Sequence, residues 1–396
     1  MKIYDESLRA RKAALKEWLE RYLPLVLAMA TFVALIGVIL TFRLPSTGRK
    51  IMVGCVLVGS KSDGGWSESH YKGILSACQK LAEEASKESP AHRSSGPTIG
   101  NLVVRDNVPE RETELIAAVD ELVREGCSIV FLTSFGYGQY MDEIAKSHPR
   151  VAFFGVSGEG TAQNCTSYFA RLYQVRYLTG IVAGMESRTG IVGYVAGIPN
   201  PQTIRNINAY ALGMRAVKPQ ARLIVRFTGS WEDEQAERES VVLLHAEGAD
   251  VVTYHAARPY VLETAEELQM FSIGYDTVRE NYSERFLTAA LYNWGVVYGK
   301  VLGDYMSGRT NFSRSYWLSL WNGAAGLHPL SAAVSPQTRV AVEVAESRFA
   351  REDWDVFSGR IYDNEGGLRC DRDERISDAE LFMRMDWFVE GVEIYE

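Results

Sequence analysis

Residues 190–254 read GIVGYVAGIPNPQTIRNINAYALGMRAVKPQARLIVRFTGSWEDEQAERESVVLLHAEGADVVTY. Three short apolar runs (190–196, 222–227 and 250–254) are separated by two stretches of helical period, 201–217 and 233–247. Strand-like runs that end in Gly, Pro or Asp and alternate with helices predict βαβ units, a parallel sheet and right-handed crossovers. The same rhythm extends backwards to Ile51. It predicts strands at 51–58, 99–105, 128–133 and 151–157, and helices at 67–88, 109–125 and 138–147. Residues 158–166 (GEGTAQNCT) break the alternation and form an expected hinge, after which a helix at 173–187 opens the second series. Beyond it lie a strand at 271–275, a helix at 283–307, a strand at 317–321, a helix at 334–351 and a terminal helix at 377–388. Two βα series joined by several crossings predict two lobes around a cleft. The expected division assigns 51–160 with about 275–315 to lobe 1, and 161–274 with about 316–396 to lobe 2.

The strand tips carry the chemistry. They are Gly59–Trp66, Ser134–Gly138, Gly197–Pro201, Gly229–Asp233, Tyr254–His255 and Gly274–Asp276. In an open parallel sheet a ligand lies outside the carboxyl ends of the strands. Aromatic and acidic groups at so many of those ends predict a small, flat, polar ligand. Asp63 stands before Gly64-Gly65-Trp66, where glycines let backbone approach a ligand closely. It has two compatible readings, ligand contact and N-cap of the following helix. Trp231, in a Gly/Ser/Asp loop, is placed to stack on a ring. Asp276 suits a pair of sugar hydroxyls or caps the next turn. His255 is read either as a satisfied strand-end histidine or as a ligand contact.

Composition and motifs exclude several classes. The net charge of −8 and the lack of a basic stripe after residue 50 argue against nucleic acid. No phosphate loop, dinucleotide fingerprint, GxSxG elbow, HExxH or zinc spacing occurs, so no nucleophile is nominated and neither cofactor nor metal is expected. Five cysteines without CxxC spacing give no disulfide framework.

Tyr22–Phe42 (YLPLVLAMATFVALIGVILTF) contains no charged residue and is long enough to cross a bilayer core. With no small-x-small site after it, it is expected to remain as an uncleaved anchor. Six basic residues precede it, against Arg43, Arg49 and Lys50 just beyond. The cytoplasmic side therefore takes the amphipathic segment 1–21, and the domain after linker 43–50 is exported.

Several tracts are similar to one family. These are YQVRYLTGIVAG (173–184), GIVGYVAGIPNPQTIRNINAYALG (190–213), TGSWEDEQ (228–235), EGAD (247–250), GSKSDGGWSESHYKG (59–73), SIGYD (272–276) and SGRIYDNEGGL with SDAELFMRMDWFVEGV at the end. They resemble the basic membrane protein family of substrate-binding proteins, which includes purine nucleoside receptor lipoproteins of bacterial ABC transporters. The resemblance implies a type I periplasmic-binding-protein fold with doubly wound parallel sheets and three hinge crossings; the transmembrane helix expected before it is read from residues 22–42 and departs from the family's lipoprotein pattern. The resemblance also implies a purine nucleoside or related ligand and an ABC permease as partner. By motif position, Asp63 and Tyr71, with Trp66 beside them, match first-lobe contacts; Trp231 matches the second-lobe aromatic and Asp276 the sugar-binding aspartate. Two positions depart from the pattern. A family lysine falls on Tyr292 in LTAALYNWG, and a family aspartate falls on Gln139 in SFGYGQYMDEIA. Both changes remove charge from the cleft. A membrane-tethered sensor without transport and a nucleoside-processing enzyme are the rival readings.

Overall fold

The computed structural model describes Lys16 and residues 21–23, 50–87, 97–156, 160–276, 278, 283–349 and 354–395. Most of the expected amphipathic segment, residues 24–42 of the expected span and the linker to residue 49 lie outside the described residues. Among the described residues no helix is long and apolar enough to cross a membrane. The chain divides into two compact units, Met1–Arg49 and Lys50–Glu396, and the second carries two sheets.

The first sheet is built from β1 (Lys50–Val56), β2 (Thr98–Arg105), β3 (Cys127–Leu132), β4 (Ala152–Val156), β5 (Cys165–Ala170) and, much later in the chain, β11 (Tyr316–Leu318). Its order is β11-β5-β4-β3-β1-β2, with every neighbour parallel. The second contains β6 (Ile191–Ala196), β7 (Arg222–Phe227), β8 (Val251–His255), β9 (Phe271–Tyr275), β10 (Phe286–Tyr292), β12 (Ala325–Leu327) and β15 (Val392–Tyr395). Its order is β12-β10-β9-β8-β6-β7-β15, and only the β10–β12 pair is antiparallel. A small hairpin of β13 (Ile361–Tyr362) and β14 (Leu368–Cys370) stands apart.

Helices α1 (Trp66–Lys87), α2 (Glu112–Arg124) and α3 (Met141–Ser147) follow β1, β2 and β3. Then come α4 (Leu172–Glu186), α5 (Pro201–Val217), α6 (Glu234–Ala246), α7 (Tyr260–Glu267), α8 (Trp294–Met306) and α9 (Pro336–Arg348). Local chemistry sets their starts. Asn200 Oδ1 accepts from Thr203 N at 2.9 Å with Pro201 at the first helical position, and Asp233 Oδ1 accepts from Ala236 N at 3.0 Å. Residues 172–184 of α4 are all buried, because α4 packs on α5, β10 and α9. A Cβ at Gly213 would come within 1.9 Å of the Tyr177 carbonyl oxygen, so the two helices cross at a separation only glycine permits.

The strand–helix alternation and the doubly wound parallel architecture expected from the sequence are present. The crossing points differ from the expected ones. β5 remains in the first sheet, so the chain first leaves it at Arg171, not within 158–166. β9 and β10 belong to the second sheet, so the return falls at Asn293, where α8 goes on to pack against α1. The third crossing runs from β11 to β12 through a 3-10 turn, Leu320–Asn322, whose capping box joins Ser319 and Asn322.

The expected helix 283–307 is thus split into a strand and a helix. Phe286–Tyr292 (FLTAALY) contains helix-forming Leu and Ala. It lies nearly wholly buried between β9 and β12, however, and two-sided burial outweighs intrinsic propensity. The terminal helix expected at 377–388 is only a short π turn, Glu380–Arg384, before β15 adds to the sheet edge. All five cysteines are buried and free, and burial pushes the Cys78 thiol up to about 12.

Candidate ligand-binding site

The carboxyl ends of the two sheets enclose a cavity of about 390 Å³, within the range usual for small-molecule sites. From the first sheet it is lined by Val58, Gly59, Asp63, Trp66 and Ser67 after β1, Glu110 after β2, Ser134 and Phe135 after β3, and Val156 on β4. The second sheet contributes Ile198 and Gln202, residues 229–232, His255 to Ala257, and Tyr275.

Asp63 caps the following helix, one of the two roles read from the sequence, and it also lines the cavity. Its oxygens already accept from Gly65 N at 2.9 Å, Glu68 N at 3.0 Å and Ser67 N at 3.1 Å. These bonds fix the first turn of α1 and so the position of Trp66. The half-buried Trp66 donates its Nε1–H to the Thr133 carbonyl at 2.8 Å and meets the rings of His70, Tyr292 and Trp294 edge-on. Its indole is a fixed wall. Glu110 is similarly engaged, accepting from the Ser134 hydroxyl and, at 2.8 Å, from Gly136 N.

Across the cavity, Trp231 is half-buried, and its carbonyl accepts from Ala257 N at 2.7 Å, tying the loop after β7 to the loop after β8. The His255 ring lies 6.3 Å from that of Trp231 and 4.3 Å from that of Tyr275. His255 Nε2 and the Tyr275 hydroxyl are 3.0 Å apart. Burial, with Arg176 and Arg205 nearby, holds the His255 imidazole well below its ordinary pKa, so it is neutral. The two loop systems touch at Gly65. A Cβ there would sit 1.8 Å from the Ala257 carbonyl oxygen.

Asp276 and Tyr292 line an adjoining pocket with Gly64, Ser69, Lys72 and Trp294, not the cavity itself. Asp276 is 7% exposed and adopts φ 60°. Its Oδ1 accepts from Ser69 Oγ of α1 at 3.0 Å, a bond that joins the two sheets. Burial raises its carboxyl to about 8, so at neutral pH it is largely protonated. Tyr292 stacks on Trp294 at 4.5 Å, and its hydroxyl accepts from Gln202 Nε2 at 3.4 Å.

Two further expected residues stand elsewhere. Tyr71 packs on the core of its own sheet with the Lys61 ammonium 5.9 Å from its ring, one helical turn past the residues that face the cavity. Gln139 is exposed, and its amide turns back to the Gly136 carbonyl at 3.0 Å.

The structure therefore brings Asp63, Trp66, Trp231 and His255 together around one cavity. Sequence reasoning passed over Glu110, Ser134, Gln202 and Tyr275. Ser134 and Tyr275 lie inside the marked strand tips, and Glu110 follows β2, whose tip is not among them. Among the described residues no three His, Cys, Asp or Glu side chains cluster so as to hold a metal.

Residues 50–350 match the model of the Bmp family, described as ABC transporter substrate-binding protein PnrA-like. TsgA13 of Haloferax volcanii, named as a candidate ABC transporter glucose-binding protein, is 29% identical over 350 residues, 88% of this chain and 82% of that one. A purine-binding protein of Brucella abortus is 26% identical over 346 residues, 87% of this chain and 93% of that one. The crystal structure of a transcriptional activator of the comK gene from Bacillus halodurans shares the fold. It matches with a TM-score of 0.63 at 22% identity, over 76% of this chain and 99% of that one. Solved solute-binding proteins of ABC transporter systems have the same architecture.

Proposed function

The chain belongs to the Bmp family of PnrA-like ABC transporter substrate-binding proteins, and we propose that it captures a purine base or purine nucleoside outside the cytoplasm and delivers it to an ABC permease. On this reading the uncharged segment 22–42 anchors the domain to the membrane, and binding involves no covalent chemistry. The observation that carries the ligand assignment is the pair Trp66 and Trp231, which line one cavity from opposite sheets. A base stacked on such an aromatic platform gains about 1–3 kcal/mol per ring. Around the same cavity, His255, Gln202, Ser134 and Ser230 supply the few polar groups that fix a heterocycle's orientation. The Brucella relative's name agrees with this assignment, and the Haloferax relative's name supplies the competing one.

The sugar is a separate matter. A protonated Asp276 in the adjoining pocket gives up the charge-assisted bonds that a ribose clamp relies on, which favours the free base. Calorimetric titration of the full chain in detergent with adenine, hypoxanthine, their ribosides, glucose and amino acids tests the proposal. Binding of at least one purine or its riboside, and none of glucose, is the expected result. Glucose binding without purine binding would overturn it.

A further inference from the structure

His255 is 2% exposed and lines the cavity, yet only one of its two ring nitrogens is satisfied by the protein. Nε2 is engaged by the Tyr275 hydroxyl at 3.0 Å, and Nδ1 has no hydrogen-bond partner. A buried polar nitrogen left unpaired is costly, so in the working complex the ligand is the available partner.

The surroundings decide which hydrogen-bonding role Nδ1 plays. Arg176 is fully buried, and its guanidinium lies 4.8 Å from the Tyr275 ring centroid, donating to Thr253 Oγ1 at 3.0 Å and the Tyr254 carbonyl at 2.6 Å. Arg205, also buried, donates to the Leu381 carbonyl and lies 5.0 Å from the Trp317 ring. Among the described residues neither makes an ion pair with a carboxylate. Burial holds the proton on the Tyr275 hydroxyl, and the Arg176 cation over its ring works against that effect. With Tyr275 as the donor to Nε2, the neutral imidazole would carry its one proton on Nδ1. The two buried guanidiniums favour an electron-rich group at this wall.

We propose that Tyr275 donates to Nε2, leaving the His255 proton on Nδ1, and that this N–H is a specificity determinant that receives a carbonyl oxygen of the ligand, so that the cavity selects oxopurines over aminopurines. The proposal rests on the reading of the cavity as a purine site. Adenine, in the pose that puts the hypoxanthine oxygen on Nδ1, would offer an amine there and set donor against donor. A site built around one hydrogen-bonding role rejects the mismatched analogue strongly, because its buried group is left unpaired.

The test compares hypoxanthine and adenine by titration calorimetry on the full chain, in wild type and in His255→Phe, which keeps a flat ring and removes both nitrogens. Wild type is expected to bind hypoxanthine at least about tenfold tighter, a difference near 1.4 kcal/mol. The variant should bind both with similar affinity, the loss falling on hypoxanthine. Because a buried substitution can impair folding, the 15N shifts of His255 in wild type give a second readout. They should show the proton on Nδ1, with that resonance moving when hypoxanthine is added. Equal or tighter adenine binding by wild type, a proton on Nε2, or a variant that keeps the preference would each overturn the proposal. If neither purine binds while another compound does, the purine reading itself fails and this inference falls with it.

Discussion

Three carboxylates at or beside the cavity are already engaged by the protein's own donors, which limits what each can do for a ligand. Asp63 is occupied by three backbone amides and Glu110 by Ser134 and Gly136, so both hold loops in place and present only their remaining lone pairs. Asp276 differs, because its environment takes away its charge. Its carboxyl is raised to about 8 by burial, so the folded chain keeps a proton there that the unfolded chain has released above about pH 4. Stability is undiminished by this group below about pH 4, falls as the pH rises through the window to about 8, and levels off beyond it. Asp276→Asn removes the dependence, so the variant's Tm should gain on wild type across that window. Glu237, also raised to about 8 by burial, titrates in the same range and cancels in the comparison. A Tm difference that does not change with pH would contradict the assignment. Trp231→Ala should weaken purine binding by about 1–3 kcal/mol with little change in Tm, since the ring is half-buried; a large fall in Tm at unchanged affinity would mark Trp231 as core. From the sequence, the aromatics and Asp63 were legible because they sit in glycine-rich strand tips. Gln139 was misplaced because a position inherited from a family pattern says nothing of where an exposed 3-10 turn points its side chain.

At the scale of elements, the site depends on two loops meeting edge to edge. Gly65, between β1 and α1, lies against the Ala257 carbonyl between β8 and α7. Gly65→Ala should therefore leave each sheet folded but oppose the approach of the loops, lowering ligand affinity at least about tenfold while Tm without ligand changes little. Unchanged affinity in calorimetry would show that the approach is not needed for binding. The elements also show where sequence periodicity stops being informative. Strands such as β6, β7 and β8 are short apolar runs bounded by turn residues and were readable as strands. β10 (FLTAALY) was read as helix because its Leu and Ala residues satisfy a helical pattern equally well. β5 (CTSYFA) was not read as a strand, and its first two residues, Cys165 and Thr166, fell within the expected hinge, although all six residues are buried between β4 and β11. Both errors arise from burial that only the assembled sheet supplies.

For the molecule as a whole, the doubly wound architecture was legible because it follows from the order of strands and helices, whereas the crossing points were not, because they depend on which sheet receives β5, β9 and β10. The compact unit that holds both sheets begins at Lys50. A chain lacking residues 1–43 should consequently be soluble without detergent and bind ligand with unchanged affinity. Failure of that truncated chain to fold would show that the N-terminal segment is part of the fold and not an anchor. The most direct test of the central claim, a purine held between the two sheets, is a crystal structure of the protein with hypoxanthine bound. The purine ring is predicted to lie between Trp66 and Trp231 with its oxygen within hydrogen-bond distance of His255 Nδ1. Density for the ligand in the pocket beside Asp276 and Tyr292, with the space between the two indoles filled only by water, would contradict it.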